Sequence, residues 1–250
     1  MSGELWLEDF LIVAENIVEE TIKFIANSDL PMGSASFLKY DVKLDLDVET
    51  QFFLAKKLGE LTPFPVVGEE GFTSELPAVP YWLIDPIDGS FNYLSGIRYA
   101  AVSVALMAPD EPLIGVVGDI CSGELVSARK GGGVRLNRFH AQKSDMAVRG
   151  AGLVLTAITP SLHSGVDGVE RLLGNVMAYR KIRMLGSAAM SMTLLARGAC
   201  EAVVLSGIHA WDVMAGCLIA DEAGCKVDWR VTEERRMLGD LVARNPMPSQ

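Results

Sequence analysis

Leu7, Phe10, Leu11, Ala14, Ile17, Val18, Ile22 and Ile25 recur three and four residues apart, with polar residues filling the gaps. That period predicts a long amphipathic helix over residues 4–26, its apolar stripe turned to a core. The small, polar stretch 33–43 reads as a loop. A second helical pattern carries Phe52, Phe53, Leu54, Leu58 and Leu61, and Asp47 ahead of it suits a helix N-cap. Pro63 and Pro65 end that helix. Val66-Val67 then reads as a short strand running into Gly68-Glu69-Glu70. Strand-like runs at 81–84, 99–107, 112–118 and 124–128, joined by short turns, predict an antiparallel meander. Gly131-Gly132-Gly133 is a tight turn that completes no dinucleotide-binding G-x-G-x-x-G.

Past residue 145 the texture changes. Strands are expected at 152–157, 181–185 and 199–206, and helices at 165–178, 187–197 and 210–224, with short strands near 226 and 241. Such alternation predicts an α/β second half. The expected organisation is an N-terminal α+β part, 1–147, and a C-terminal α/β part, 148–250, forming a single compact catalytic unit.

Half of the 250 residues are hydrophobic and 22% are charged, enough apolar side chain for a real core. The net charge of −10 argues against a nucleic-acid footprint, which needs a basic face. It conflicts with phosphate binding too, unless several carboxylates hold cations that reverse the local field. Cys121, Cys200, Cys217 and Cys225 form no C-x-x-C pair and read as reduced, mostly buried thiols. Glu15, Glu19 and Glu20 interrupt the first apolar pattern, so neither a signal peptide nor a membrane span is expected, and the location predicted is cytoplasmic.

Three acidic islands carry the candidate chemistry: Glu69-Glu70, Asp85 with Asp88, and Trp211-Asp212. Asp212 opens an apolar helix and could be an N-cap; Glu69 alone could be surface charge. Asp85 and Asp88 are harder to read that way. They flank Pro86-Ile87 directly after a buried run, where two carboxylates repel each other without a cation between them. Oxygen-only ligands suit Mg²⁺. Gly89 and Ser90 follow at once, and backbone N–H groups opening a helix or turn there would bind phosphate oxygens. His140, His163 and His209 lack zinc-ligand spacing; His209 is near Asp212 and fits either a structural or a substrate-facing role. Lys181 and Arg183 could steer a phosphorylated substrate or form a solvated edge. No G-x-S-x-G elbow or Walker loop is present.

The run Asp85-Pro86-Ile87-Asp88-Gly89-Ser90-Phe91-Asn92-Tyr93 resembles the first signature of the inositol monophosphatase family, and Trp211-Asp212-Val213-Met214-Ala215-Gly216 resembles its second. Gly68-Glu69-Glu70 matches the acidic pair upstream, Asp47 the acidic residue after the N-terminal loop, and Gly186-Ser187-Ala188 a small-residue turn lining the substrate site. The resemblance implies a layered αβαβα sandwich of the sugar-phosphatase type. It also implies Mg²⁺-dependent, Li⁺-sensitive hydrolysis of a small phosphorylated polyol or sugar, two or three ions per subunit with Mn²⁺ able to substitute, and a homodimer. Carried over by position, Glu69, Asp85 and the carbonyl of Ile87 would hold one ion and Asp85, Asp88 and Asp212 a second, with a third, weaker ion using Glu69. Glu69 and the Ser90 hydroxyl, hydrogen-bonded to Asp47, would orient the attacking water. Asp88, Gly89, Ser90, Gly186, Ser187, Ala188, Leu205 and Asp212 would bind substrate.

Two departures stand out. Ser90 replaces the family's usual Thr and keeps the hydroxyl. Leu205 stands where inositol-selective members carry a Glu that bonds ring hydroxyls, which argues against inositol selectivity. Asp88-Gly89-Ser90-Phe91-Asn92-Tyr93 also resembles the broad-specificity members that accept fructose 1,6-bisphosphate as well as inositol phosphate, and this resemblance implies a wide sugar- or polyol-phosphate range. Rival readings are a 3′-phosphoadenosine nucleotide phosphatase, a histidinol-phosphate phosphatase, and a regulatory protein retaining the fold. Asp45-Leu46-Asp47 imitates the D-x-D of haloacid-dehalogenase-like phosphatases, but no strongly apolar strand leads into it and no Gly-Thr follows.

Overall fold

A computed structural model of the protein describes residues 3–28, 35–37, 42–72, 75–109, 111–141, 152–159, 166–234 and 237–246. In chain order the first half contains α1 (Gly3–Ala26), β1 (Ala35–Phe37), β2 (Val42–Leu44), α2 (Asp45–Leu61), β3 (Val66–Gly68), β4 (Tyr81–Asp88) and α3 (Ser90–Leu94). Then come β5 (Ala101–Ala108), β6 (Glu111–Asp119), β7 (Leu125–Arg129), β8 (Val134–Leu136) and β9 (Phe139–His140). These seven strands, β3 to β9, lie in one sheet in sequence order, with β3 parallel to β4 and the rest antiparallel. The meander follows the sequence pattern, because short turns join strands that are neighbours along the chain.

The second half contains β10 (Leu153–Thr156), α4 (Val166–Val176), β11 (Lys181–Met184), α5 (Ala188–Ala196), β12 (Ala202–His209), α6 (Ala210–Glu222), β13 (Lys226–Glu233) and β14 (Leu238–Arg244). The sheet order is β11-β10-β12-β14-β13; the first three strands are parallel and the last two antiparallel. The boundary expected at 147/148 lies outside the described residues.

Alternation along β4 explains the layering. Tyr81 and Leu83 join one core with α5, α6 and the inner face of the second sheet, while Trp82 and Ile84 join the other with α1 and α2. On the second sheet Leu155, Val203 and Leu205 face inward, and Val154, Ala202 and Val204 face α4. The result is a layered αβαβα sandwich. α6 is apolar almost all round because sheets cover it on both sides. Each large aliphatic side chain fully buried there, such as Val213 or Ile219, stabilises the sandwich by about 1.5–3 kcal/mol. Among the described residues no helix is long and apolar enough to cross a membrane.

Three local expectations are corrected. The stretch 33–43 is not wholly loop: β1 and β2 pair antiparallel within and beside it. Asp47 does not cap α2 but sits in its first turn, since the helix starts at Asp45. The strands expected to be short near 226 and 241 are eight and seven residues long, because they pair with each other and β14 also pairs with β12.

Gly115 of β6 sets the approach of α6, since a Cβ there would overlap the Ala215 carbonyl oxygen. Gly115→Ala is expected to wedge the helix off the sheet and cost about 1–3 kcal/mol. Gly59→Ala, in α2 with no atom within 4 Å of its added methyl, should instead stabilise by about 0.5–1 kcal/mol. Urea unfolding of the two variants, read by far-UV circular dichroism, checks the opposite signs.

Candidate active site

In a regular strand, residues three apart point to opposite faces. Asp85 and Asp88 escape that rule because β4 carries a bulge. Asp85 pairs with Ser103 of β5, but Asp88 pairs with Ala101, so one extra residue is accommodated at Pro86-Ile87. Pro86 suits the bulge, having no N–H to give the ladder. A second bulge lies in β12, where Leu205 pairs with Leu241 but Ile208 with Gly239. It leads directly into His209 and the first turn of α6, which carries Asp212. Asp212 is not the N-cap; His209 occupies that position, and its side chain makes no capping bond to the helix.

The two bulged strands bring Asp85, Asp88 and Asp212 together, with one oxygen from each within 4.8 Å of the others. Asp85 is 2% and Asp88 8% exposed. Burial pushes the Asp85 carboxyl well above the ordinary range, and the negative charges of Glu69, Asp212 and Asp88 push it further. Burial also raises Asp212, with Asp88 and Glu69 adding to it. Asp88 is pushed up to about 6 by burial, although the Ser187 hydroxyl and the N–H of Ala189 (2.7 Å) both donate to it and act the other way. Clustered acids that repel one another, offering only oxygen, match a hard divalent cation.

A cavity of about 380 Å³ opens over the trio. Glu69, Ile87, Gly89, Ser90, Gly186, Ser187, Ala188 and Leu205 line it together with the three aspartates. Glu69 lies outside the tight trio but close enough for its charge to act on Asp85 and Asp212. Gly89 adopts φ +92° as the N-cap of α3, and Ser90 is the first residue of that helix rather than its cap. The Ser90 hydroxyl donates to the Ile87 carbonyl at 2.8 Å, and Asp47 Oδ1 is 3.4 Å away. Asp47 is buried behind Ser90. Gly186 has φ +83°, and the Asn92 side chain fills the place its Cβ would take. Ser187 caps α5, accepting from the N–H of Met190. Leu205 touches the cavity but is only 2% exposed, held in the core beneath it. Lys181 and Arg183 are exposed on β11 and do not line the cavity.

The sequence did not point to the far wall, made by Thr156, Ala157, Ile158 and Thr159 after β10, with Ser191 and Ile208. A strand end facing α5 could have drawn notice to them; no acid or motif marks them. His209 stacks flat on Trp211, 4.3 Å between ring centroids, and its ring also lines the cavity.

A sequence profile described as the Inositol monophosphatase family matches residues 38–246. The chain is 32% identical over 205 residues to "Nus factor SuhB" of Xylella fastidiosa, covering 80% of this chain and 73% of that protein. It is 31% identical over 221 residues to inositol monophosphatase 1 of Bos taurus, covering 84% and 77%. The crystal structure of extragenic suppressor protein suhB from Bartonella henselae shares the fold, with a TM-score of 0.79 at 24% identity over 95% of this chain and 94% of that one.

The chain belongs to the inositol monophosphatase family. As a member it is a phosphatase, and its acidic cluster is able to hold metal.

Without metal the cluster costs stability, and the sign follows from the shifts. Asp88 rises from 3.8 to about 6, so the folded state keeps a proton the unfolded chain has released, and stability falls as pH climbs through that window. Asp212→Asn removes one repelling charge. In EDTA at pH 7.5 the variant should melt higher by roughly 2–4 °C, about 1 kcal/mol, with the gap closing near pH 4. Added Mg²⁺ should raise the wild-type melting temperature and leave the variant behind. Differential scanning calorimetry at the two pH values checks both statements.

Proposed function

We propose that this protein is a Mg²⁺-dependent phosphomonoesterase acting on small phosphorylated polyols and sugars, with water as the nucleophile. The observation that carries it is the convergence of Asp85, Asp88 and Asp212 under one cavity that Glu69 also lines. Glu69, Asp85 and the Ile87 carbonyl would hold one ion, Asp85, Asp88 and Asp212 a second, and Glu69 a third, weaker one. Bound there, Mg²⁺ would supply Lewis-acid stabilisation of the phosphoryl and leaving oxygens and acidify a water.

The chain's own residues would position the reactants. The Ser90 proton is directed at the Ile87 carbonyl, so its oxygen is left as an acceptor. Ser90 and Glu69 together can take the two protons of a water and leave its lone pair aimed at phosphorus. Asp47 Oδ1, at 3.4 Å, is the alternative acceptor for that one proton, and with either partner the Ser90 oxygen is left to accept from water. As opening residues of α3, Ser90 and Phe91 have N–H groups without partners inside the helix, available to phosphoryl oxygens.

The remaining wall supports a broad substrate range. Its hydroxyl protons are engaged: Thr156 donates to the Val204 carbonyl at 2.6 Å, Thr159 to Ser206 at 2.7 Å and Ser191 to Ser187 at 2.6 Å. Among the described lining residues none is Lys or Arg. Leu205 offers no bond to a ring hydroxyl. These hydroxyls can still accept from a substrate alcohol but have no proton to give, and acceptors alone discriminate little among alcohols. A second reading, a regulatory protein retaining the fold, draws on the name "Nus factor" carried by the Xylella relative.

Phosphate release should require Mg²⁺, and Asp85→Asn should lower kcat by about 10³-fold or more, roughly 4 kcal/mol of charge stabilisation. Across inositol 1-phosphate, fructose 1,6-bisphosphate, histidinol phosphate and a 3′-phosphonucleotide, kcat/KM should stay within about a factor of 100, the range apolar discrimination allows. Steady-state assays with each substrate decide the point. Strict preference for inositol 1-phosphate overturns the breadth, and no release from any monoester favours the regulatory reading.

A further inference from the structure

Glu69 sits in a turn that its own sequence does little to fix. Gly68 precedes it, and the turn closes with the N–H of Phe72 on the Glu69 carbonyl at a long 3.4 Å. The support comes from α2. The Gln51 amide donates from Nε2 to the Glu70 carbonyl at 2.7 Å, and its Oε1 accepts the Glu70 N–H at 2.8 Å. One planar side chain thus holds both backbone groups of the residue next to Glu69, so neither the peptide before Glu70 nor the one after it can rotate without breaking a bond to Gln51.

Room for this comes from Gly68. A Cβ there would overlap Oε1, Cδ and Nε2 of Gln51. The glycine has no positive φ, so the close approach of the amide, and not backbone conformation, is what excludes a side chain. On the far side of the turn, Phe72 packs edge-on against Trp211, 5.5 Å between centroids, next to Asp212. Gln51 also lies one helical turn after Asp47, on the same face of α2. One helix face therefore reaches both the Ser90 hydroxyl and the Glu69 turn.

We infer that Gln51 is a positioning residue: its two-point clamp on Glu70, admitted by Gly68, sets Glu69 against the aspartate trio and so tunes metal affinity. This rests on the assignment of Glu69 as a metal ligand made above. Groups that orient metal ligands from behind are worth about 10–100-fold in affinity or activity.

The test uses Gln51→Ala, Gly68→Ala and the double variant, titrated with Mn²⁺ by the loss of its free-ion electron paramagnetic resonance signal, with metal-free melting temperatures measured alongside. Each single variant should weaken Mn²⁺ binding by about tenfold or more. Gly68→Ala loses no bonding group of its own, so an effect from it must come through displacing the Gln51 amide. In the double variant the added methyl meets open space, and the two effects should therefore not add. Ala55→Gly, which weakens the same helix by about 1 kcal/mol, should lower the melting temperature and leave Mn²⁺ affinity within about twofold. Unchanged affinity in both single variants, additive losses in the double, or an equal loss in Ala55→Gly overturns the clamp. Wild-type protein that binds no Mn²⁺ overturns the metal assignment itself. Wild-type protein that binds Mn²⁺ but releases no phosphate overturns the phosphatase reading, while the Mn²⁺ titrations still decide the clamp.

Discussion

Three carboxylates held within 4.8 Å of one another, two of them buried, are the arrangement around which this protein is organised. Apart from a hydrogen bond between the Asp85 and Asp212 carboxyls, their mutual interaction works against it. Burial and like charge both disfavour ionisation, as the raised pKa directions of Asp85, Asp88 and Asp212 record. The arrangement exists because the sandwich around it is stable enough to impose it. A divalent cation converts the repulsion into attraction, so the source of local instability is also the source of affinity.

The imposition is mechanical. Asp85 and Asp88 end a strand one place in from the sheet edge, pinned by β3 over Trp82–Ile84 and by β5 from Tyr81 to Asp88, so it has no freedom to slide. Asp212 belongs to a helix packed between two sheets. Asp88 joins the halves, because its carboxylate accepts from Ser187 and Ala189 at the start of α5. The same bonds that moderate its pKa tie the first sheet to the helical layer. Gly89 and Gly186 sit at this junction, where a Cβ on Gly89 would press on the Gly186 carbonyl at 3.0 Å. Small residues there are a consequence of two layers meeting edge to edge, and the meeting forms the cavity.

Much of the fold was legible. The helical period of α1, the meander from β4 to β7 and the alternation in the second half all follow from apolar spacing, which dominates wherever one face of an element is buried. Legibility failed where pairing, not periodicity, makes the element. β1 and β2 are three-residue strands in a polar stretch, held by each other. β13 runs to eight residues with an exposed, mixed face because β14 templates it. Asp47 looked like a cap because an acid just before an apolar pattern usually is one; the helix in fact begins two residues earlier.

The sequence by itself determined which chemistry is possible. Acids beside a Gly-Ser turn and a Trp-Asp pair, in a chain with few histidines and no nucleophile motif, point to oxygen ligation and phosphate, and local residue type is enough to say so. Tertiary structure decided which acids meet. A spacing of three places Asp85 and Asp88 on opposite faces of a regular strand, and only the bulge at Pro86-Ile87 reverses that. Bulges, the far wall at Thr156–Thr159 and the hold of Gln51 on Glu70 all depend on residues distant in sequence. Their positions are set by the pairing of strands and the packing of layers, interactions for which no local pattern in the chain carries a record.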